Sequence, residues 1–68
     1  MTNTANEIAE RFDVRFERDL GDRLWKTSGT LNRREAKEMA RQLESAGIEH
    51  VLELDTDDGS FWVHADLT

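Results

Sequence analysis

The stretch from Asn32 to Gly47, NRREAKEMARQLESAG, carries its own start, buried face and stop. Asn32 suits an N-cap, because its side-chain oxygen accepts from a free amide of the first turn. Glu35 stands three residues on, as a capping box requires, and Leu31 and Ala36 have the spacing of a hydrophobic staple. Ala36, Met39, Ala40 and Leu43 recur at i, i+3, i+4 and i+7, which puts them on one face. Gly47 supplies the left-handed residue that ends a helix, and Ile48 follows where it can pack back on the last turn. The face is narrow and made largely of small residues, so the helix is expected to lie close against a sheet.

The opposite face mixes Arg33, Arg34, Lys37 and Arg41 with Glu35, Glu38 and Glu44. Arg34–Glu38 and Glu38–Arg41 have the spacing of surface ion pairs, each worth about 0.2–0.5 kcal/mol. Arg33, Lys37 and Arg41 also form a basic stripe. An ordinary solvated face accounts for it; the sharper reading is a contact for a phosphate, a nucleic acid or an acidic partner, with Arg34 beside it.

Working outward, each flank reads as a β-hairpin. From Phe12 to Arg18 apolar and charged residues alternate, with Phe12, Val14 and Phe16 on one side. Asp19-Leu20-Gly21 predicts a three-residue loop, and the return strand runs from Asp22 to Thr27 or Ser28. Setting Arg18 opposite Asp22 pairs Glu17 with Arg23, Phe16 with Leu24 and Arg15 with Trp25, all favourable neighbours. A one-residue slip turns Trp25 inward and Leu24 outward, so this register leaves the face of Trp25 open. After the helix, Ile48 to Leu54 alternates again, Thr56-Asp57-Asp58-Gly59 is a strong turn, and Phe61 to Leu67 returns. Asp55 opposite Ser60 pairs Leu54 with Phe61, Leu52 with Val63, His50 with Ala65 and Ile48 with Leu67. That register gathers the apolar side chains on one face and leaves Trp62 opposite Glu53, and His64 opposite Val51, on the other.

Thr4 and Glu7 make an S/T-x-x-E box, and with Ile8, Ala9 and Phe12 they predict one or two turns of helix behind a frayed arm over residues 1–4. The expected fold is α+β: β-β-α-β-β with a short N-terminal helix, one four-stranded sheet and the central helix across one face. A right-handed crossover makes the second and third strands parallel in direction, so orders 2-1-3-4 and 1-2-4-3 are both fully antiparallel.

A single domain of 68 residues buries only about 60% of its unfolded surface. The absence of cysteine removes disulfides and thiolate–zinc staples, which makes a homodimer one route to stability. No apolar run reaches the ~20 residues of a membrane span and no basic-then-apolar leader opens the sequence, so a cytoplasmic placement without membrane partners is expected. The formal charge is −6, from 15 acids and 9 bases. Residues 1–31 contribute −1 (six acids, five bases), residues 32–48 contribute +1 (four bases, three acids), and residues 49–68 contribute −6 with no Lys or Arg. The net charge therefore sits in the last hairpin, which disfavours broad nucleic-acid binding and suits a basic protein surface.

Chemistry is sparsely signalled. Asp55-Thr56-Asp57-Asp58-Gly59 glances at a calcium loop, but its Gly is fifth rather than sixth and no Glu follows at the twelfth place. His50 and His64 fall on opposite faces in the register above: His50 reads as a half-buried, hydrogen-bonded residue at a strand end, His64 as exposed. Ser28, Ser45 and Ser60 lack the context of a nucleophile, and each glycine stands at a turn or cap. No catalytic residue, metal ligand or cofactor site is expected.

The outer sheet face is the sharper candidate. Trp62, Val51, His64 and Trp25, with Glu53, Asp55, Asp57 and Asp58 of the acidic hairpin, make a partner-binding set of aromatic anchor and charged rim. The first expectation is a non-catalytic acidic interaction module. Small acidic domains of this kind include inhibitors from phages and mobile elements that act on host nucleic-acid-processing proteins, sometimes by mimicking DNA charge. Only the acids of 49–58 and Asp66 begin such a row. Arginine outnumbers lysine here, as in high-GC or salt-adapted genomes, where acidity serves solubility alone. The alternatives are nucleic-acid binding by the helix stripe and a structural homodimer subunit.

Overall fold

The computed structural model describes residues 4–18 and 23–67. Its elements are α1 (Thr4–Glu10), β1 (Phe16–Arg18), β2 (Trp25–Thr27), α2 (Arg33–Ser45), β3 (His50–Asp55) and β4 (Ser60–Ala65). Helix α2 begins as its sequence dictates. The Asn32 side chain accepts from the Glu35 amide at 2.8 Å, and Glu35 accepts from the Asn32 amide at 3.4 Å. Ala36, Met39 and Leu43 are buried; Ala40, at the margin of that face, is half-buried. At the far end Gly47 has φ +72°, its amide donates to Glu44 O at 3.0 Å, and the Ile48 amide donates to Leu43 O at 2.9 Å. This is a Schellman motif.

Helix α1 ends the same way without a glycine. Asp13 has φ +61°, its amide donates to Glu10 O at 3.1 Å, and the Val14 amide donates to Ala9 O at 3.3 Å. Aspartate tolerates the left-handed region better than most residues. The strand expected from Phe12 is therefore corrected: Phe12 and Asp13 form the helix stop, and β1 starts only at Phe16. Phe12 and Val14 still pack against the core, which explains why their alternation with Phe16 looked like a strand. Thr4 lies within α1 rather than before it; the rest of the expected frayed arm, residues 1–3, lies outside the described residues.

The second hairpin has the expected register, from His50 opposite Ala65 to Asp55 opposite Ser60. Strand pairing stops at His50, although the Asp66 amide still reaches Glu49 O at 2.9 Å. The first hairpin does not. Phe16 opposes Thr27, Glu17 opposes Lys26 and Arg18 opposes Trp25, a shift of three residues from the register that put Arg18 opposite Asp22. The shift is odd, so every side chain of β2 changes face. The proposed three-residue loop Asp19-Leu20-Gly21 lies outside the described residues.

The sheet order is β1-β2-β4-β3, antiparallel throughout. After Thr27 the chain bulges out over 28–30, then Leu31 rejoins β4: Leu31 and Phe61 exchange both backbone hydrogen bonds at 2.8 Å. Inside the bulge the Ser28 amide donates to Arg15 O at 2.7 Å, while buried Thr27 accepts the Val63 amide on Oγ1 at 3.2 Å. Both helices lie on one face of the sheet. Ala5, Ile8 and Ala9 of α1 join Met39 and Leu43 of α2 over Phe16, Leu31, Val63 and Ala65. No described helix is long and apolar enough to cross a membrane.

The two helix stops make opposite predictions. Asp13→Gly relieves an L-residue in the left-handed region and should stabilise the fold by up to about 1 kcal/mol. Gly47→Ala should cost about 1 kcal/mol or more, all of it backbone strain, since an added Cβ there meets nothing within 4 Å. Urea unfolding of both variants checks the pair of signs.

Candidate interaction surface

The face of the sheet away from the helices is built by strict alternation. One row crosses all four strands: Glu17, Lys26, His64 and Val51 stand side by side. The next row sets Trp62 beside Glu53. Lys26 Nζ sits 4.1 Å from the centroid of the Trp62 ring, a cation–π contact that holds the lysine stem across the indole. His64 Nε2 lies 2.8 Å from Glu53 Oε1, and the His64 side chain is only 13% exposed. The exposed histidine expected from the sequence is thus corrected to one tucked between neighbours. Leu24 closes the surface beside Val51, Glu53 and His64 around a shallow depression. Among the described residues no helix or strand lies across this face.

Trp25 is not part of it. The shifted register turns Trp25 toward the helices, opposite Ala65, where it packs half-buried against the core. Leu24 and Lys26 take the outer positions instead. Sequence reasoning missed Lys26 for that reason alone: a lysine and a tryptophan two strands apart in sequence become neighbours only when β2 lies beside β4.

Several of the acidic residues already have partners. Arg23, from the start of the segment leading into β2, binds both Glu49 and Asp66, the latter at 3.1 Å. In the turn, Asp55 Oδ1 accepts the Asp57 amide at 3.1 Å, and Asp58 Oδ1 accepts both the amide and the hydroxyl of Ser60. Those Ser60 hydrogen bonds, the hydroxyl first, hold the Asp58 carboxyl below its ordinary range. Asp57 and Asp58 therefore belong to the turn, while Asp55, the last residue of β3, shares the outer face with Glu53; the partner-binding set separates into an outer-face group (Val51, Glu53, Asp55, Trp62, His64) and a turn group (Asp57, Asp58).

On α2, Arg41 Nε donates to Glu38 Oε2 at 2.9 Å and its Nη2 binds the other oxygen. That bidentate pairing lowers the Glu38 carboxyl and raises the Arg41 guanidinium from their usual values. Of the two expected ion pairs, this is the one that forms. Arg33, Arg34 and Lys37 are exposed. The serines and histidines do not meet: Ser28 Oγ accepts the Arg15 amide, Ser60 binds Asp58, and His50 Nδ1 lies 2.9 Å from Ile48 O. Among the described residues no three His, Asp or Glu side chains converge on a point that would hold a metal ion.

The two tryptophans give a direct check of the faces. Trp25→Ala, at a side chain packed on the core, should destabilise the fold by about 2–3 kcal/mol, and Trp62→Ala, half-buried outside that cluster under Lys26, by about 1 kcal/mol; chemical denaturation of both variants reads the order. Asp58 supplies a second. Its depressed pKa means that its contribution to stability is present above the ordinary aspartate range and fades as pH falls through the lowered folded value. Ser60→Ala should move the Asp58 titration, followed by carboxyl-carbon NMR, upward toward an unperturbed aspartate.

Compared with protein-family models, with curated proteins and with solved structures, the chain matches none.

Proposed function

We propose that the chain is a non-catalytic protein-interaction module, cytoplasmic, that binds a partner with a basic surface through the outer sheet face and the β3–β4 hairpin. The observation that supports it most is the outer face itself. Val51, 50% exposed, lines a shallow depression with Leu24, Glu53 and His64, and Trp62 stands in the next row beside Glu53 with Lys26 over its ring. An aromatic side chain already propped by a neighbour loses little freedom on binding, which suits an anchor. The charge adds direction: all six acids and no base of residues 49–68 lie in this hairpin and its exit, so long-range attraction selects a basic partner.

A host nucleic-acid-processing protein is one partner of that chemistry, and an inhibitor from a phage or mobile element is the specific form this proposal takes. Charge mimicry of DNA is not needed for it. Glu49, Asp66 and Glu53 are paired, and Asp55 and Asp58 fold the turn, which leaves a short row for imitating phosphates.

The test is capture from nuclease-treated lysate of the source organism by the immobilised protein, compared with Trp62→Ala, Val51→Glu and the double variant Arg33→Glu/Lys37→Glu. A stoichiometric protein should be retained, weakened about tenfold or more by either face variant and unaffected by the helix variant. Binding that survives both face variants overturns the proposal. Recovery of nucleic acid alone, lost with the helix variant and falling steeply with salt, would transfer the function to Arg33, Arg34 and Lys37.

A further inference from the structure

Strand β3 is an edge of the sheet, and its backbone shows which groups it offers. Phe61 gives both its amide and its carbonyl to Leu31, on the side away from β3. In an antiparallel ladder, opposite residues alternate between pairs that exchange hydrogen bonds and pairs that do not. Leu54, opposite Phe61, therefore turns its own backbone groups outward. The other end agrees: the Asp66 amide donates to Glu49 O, so Glu49, Val51 and Glu53 face β4 while His50, Leu52 and Leu54 face the free edge. Three amides and three carbonyls are thus aligned in register with no described strand to meet them.

Proteins usually blunt such an edge with a lysine, a proline or a bulge. Strand β3, HVLELD, has no lysine, proline or bulge; its charged side chains, Glu53 and Asp55, are both acidic and so repel an acidic strand but not a basic one. It also carries both exposed large hydrophobics of the described residues, Val51 at 50% and Leu54 at 53%.

We infer that β3 takes up an extended segment of a basic partner as a fifth strand, the partner's side chains alternating between basic and apolar. The inference rests on the interaction-module reading above and names the binding mode. On the outer row the added strand meets Val51, Glu53 and Asp55, where arginine or lysine finds carboxylates; on the inner row it meets His50, Leu52 and Leu54, where apolar side chains extend the core. A second copy of this chain fits the edge less well. Antiparallel pairing about Leu52 would set Glu49 of one copy opposite Asp55 of the other, and would join two hairpins of the same acidic sign. Like charges directly opposite destabilise a ladder.

The probe is a blocked eight-residue peptide of alternating arginine and valine, with two controls: the same peptide N-methylated at alternate residues, and one with glutamate for arginine. Amide hydrogen exchange of the intact protein is followed by NMR. The arginine peptide should slow exchange at His50, Leu52 and Leu54 about tenfold or more while leaving Val51 and Glu53 nearly unchanged, and the protection should fall as salt rises. The two controls should give none. Absence of protection by the arginine peptide, or equal protection by the glutamate peptide, overturns the inference. Concentration-dependent protection of the same amides without peptide, with a dimer in sedimentation, overturns it in favour of self-pairing. Leu54→Pro removes one outward amide and no ladder bond; it should abolish peptide protection with the fold intact. In the lysate experiment, capture kept by Leu54→Pro but lost by Val51→Glu sinks the added strand and spares the module. Capture unaffected by either variant sinks both.

Discussion

The paired hydrogen bonds between Leu31 and Phe61 hold the architecture together. They lie one residue before the N-cap of α2 and one residue after the start of β4, so the entry to the helix is fastened to the middle of the sheet. From that point the helix has one way to run. Its apolar side meets Val63 and Ala65, and α1 fills the space beside it. The same bond decides which strand is central: β4 is shared between β2 and Leu31 on one side and β3 on the other, leaving β3 as an edge.

Local chemistry was readable wherever a residue type answers one backbone demand. Asn32 and Glu35 close a capping box because their spacing permits nothing simpler, and Gly47 takes a left-handed conformation that other residues avoid. The second hairpin was readable because one register alone puts Leu52, Leu54, Phe61 and Val63 together. The first hairpin failed on both counts. Asp13 does the work expected of a glycine, so the stop of α1 passed for the start of a strand. With only three residues on each side, β1 and β2 hold too few side chains for pattern to fix register, and a run of favourable cross-strand pairs favours a different one.

That single misreading propagated to the candidate site. Val51, Glu53, Trp62 and His64 were found because the long hairpin sets them by parity. Lys26 and Leu24 were not, and Trp25 was placed with them, because the face of β2 depends on its neighbours in the sheet. Arg23 illustrates the limit. It gathers Glu49 and Asp66 across a separation of 26 and 43 residues, which no local spacing announces.

The central place of β4 also orders events in time. It comes last among the described strands, yet β2 has no described strand partner other than β1 until β4 joins it. Closing the sheet therefore waits for contacts between residues far apart in sequence, whose loop must be ordered before they are rewarded. Until β4 is in place, β2 and β3 have no described strand between them to join the two hairpins. The hairpin β3–β4 is the natural seed, since its turn is short and its register unambiguous. The sheet then extends from that hairpin through β2 to β1.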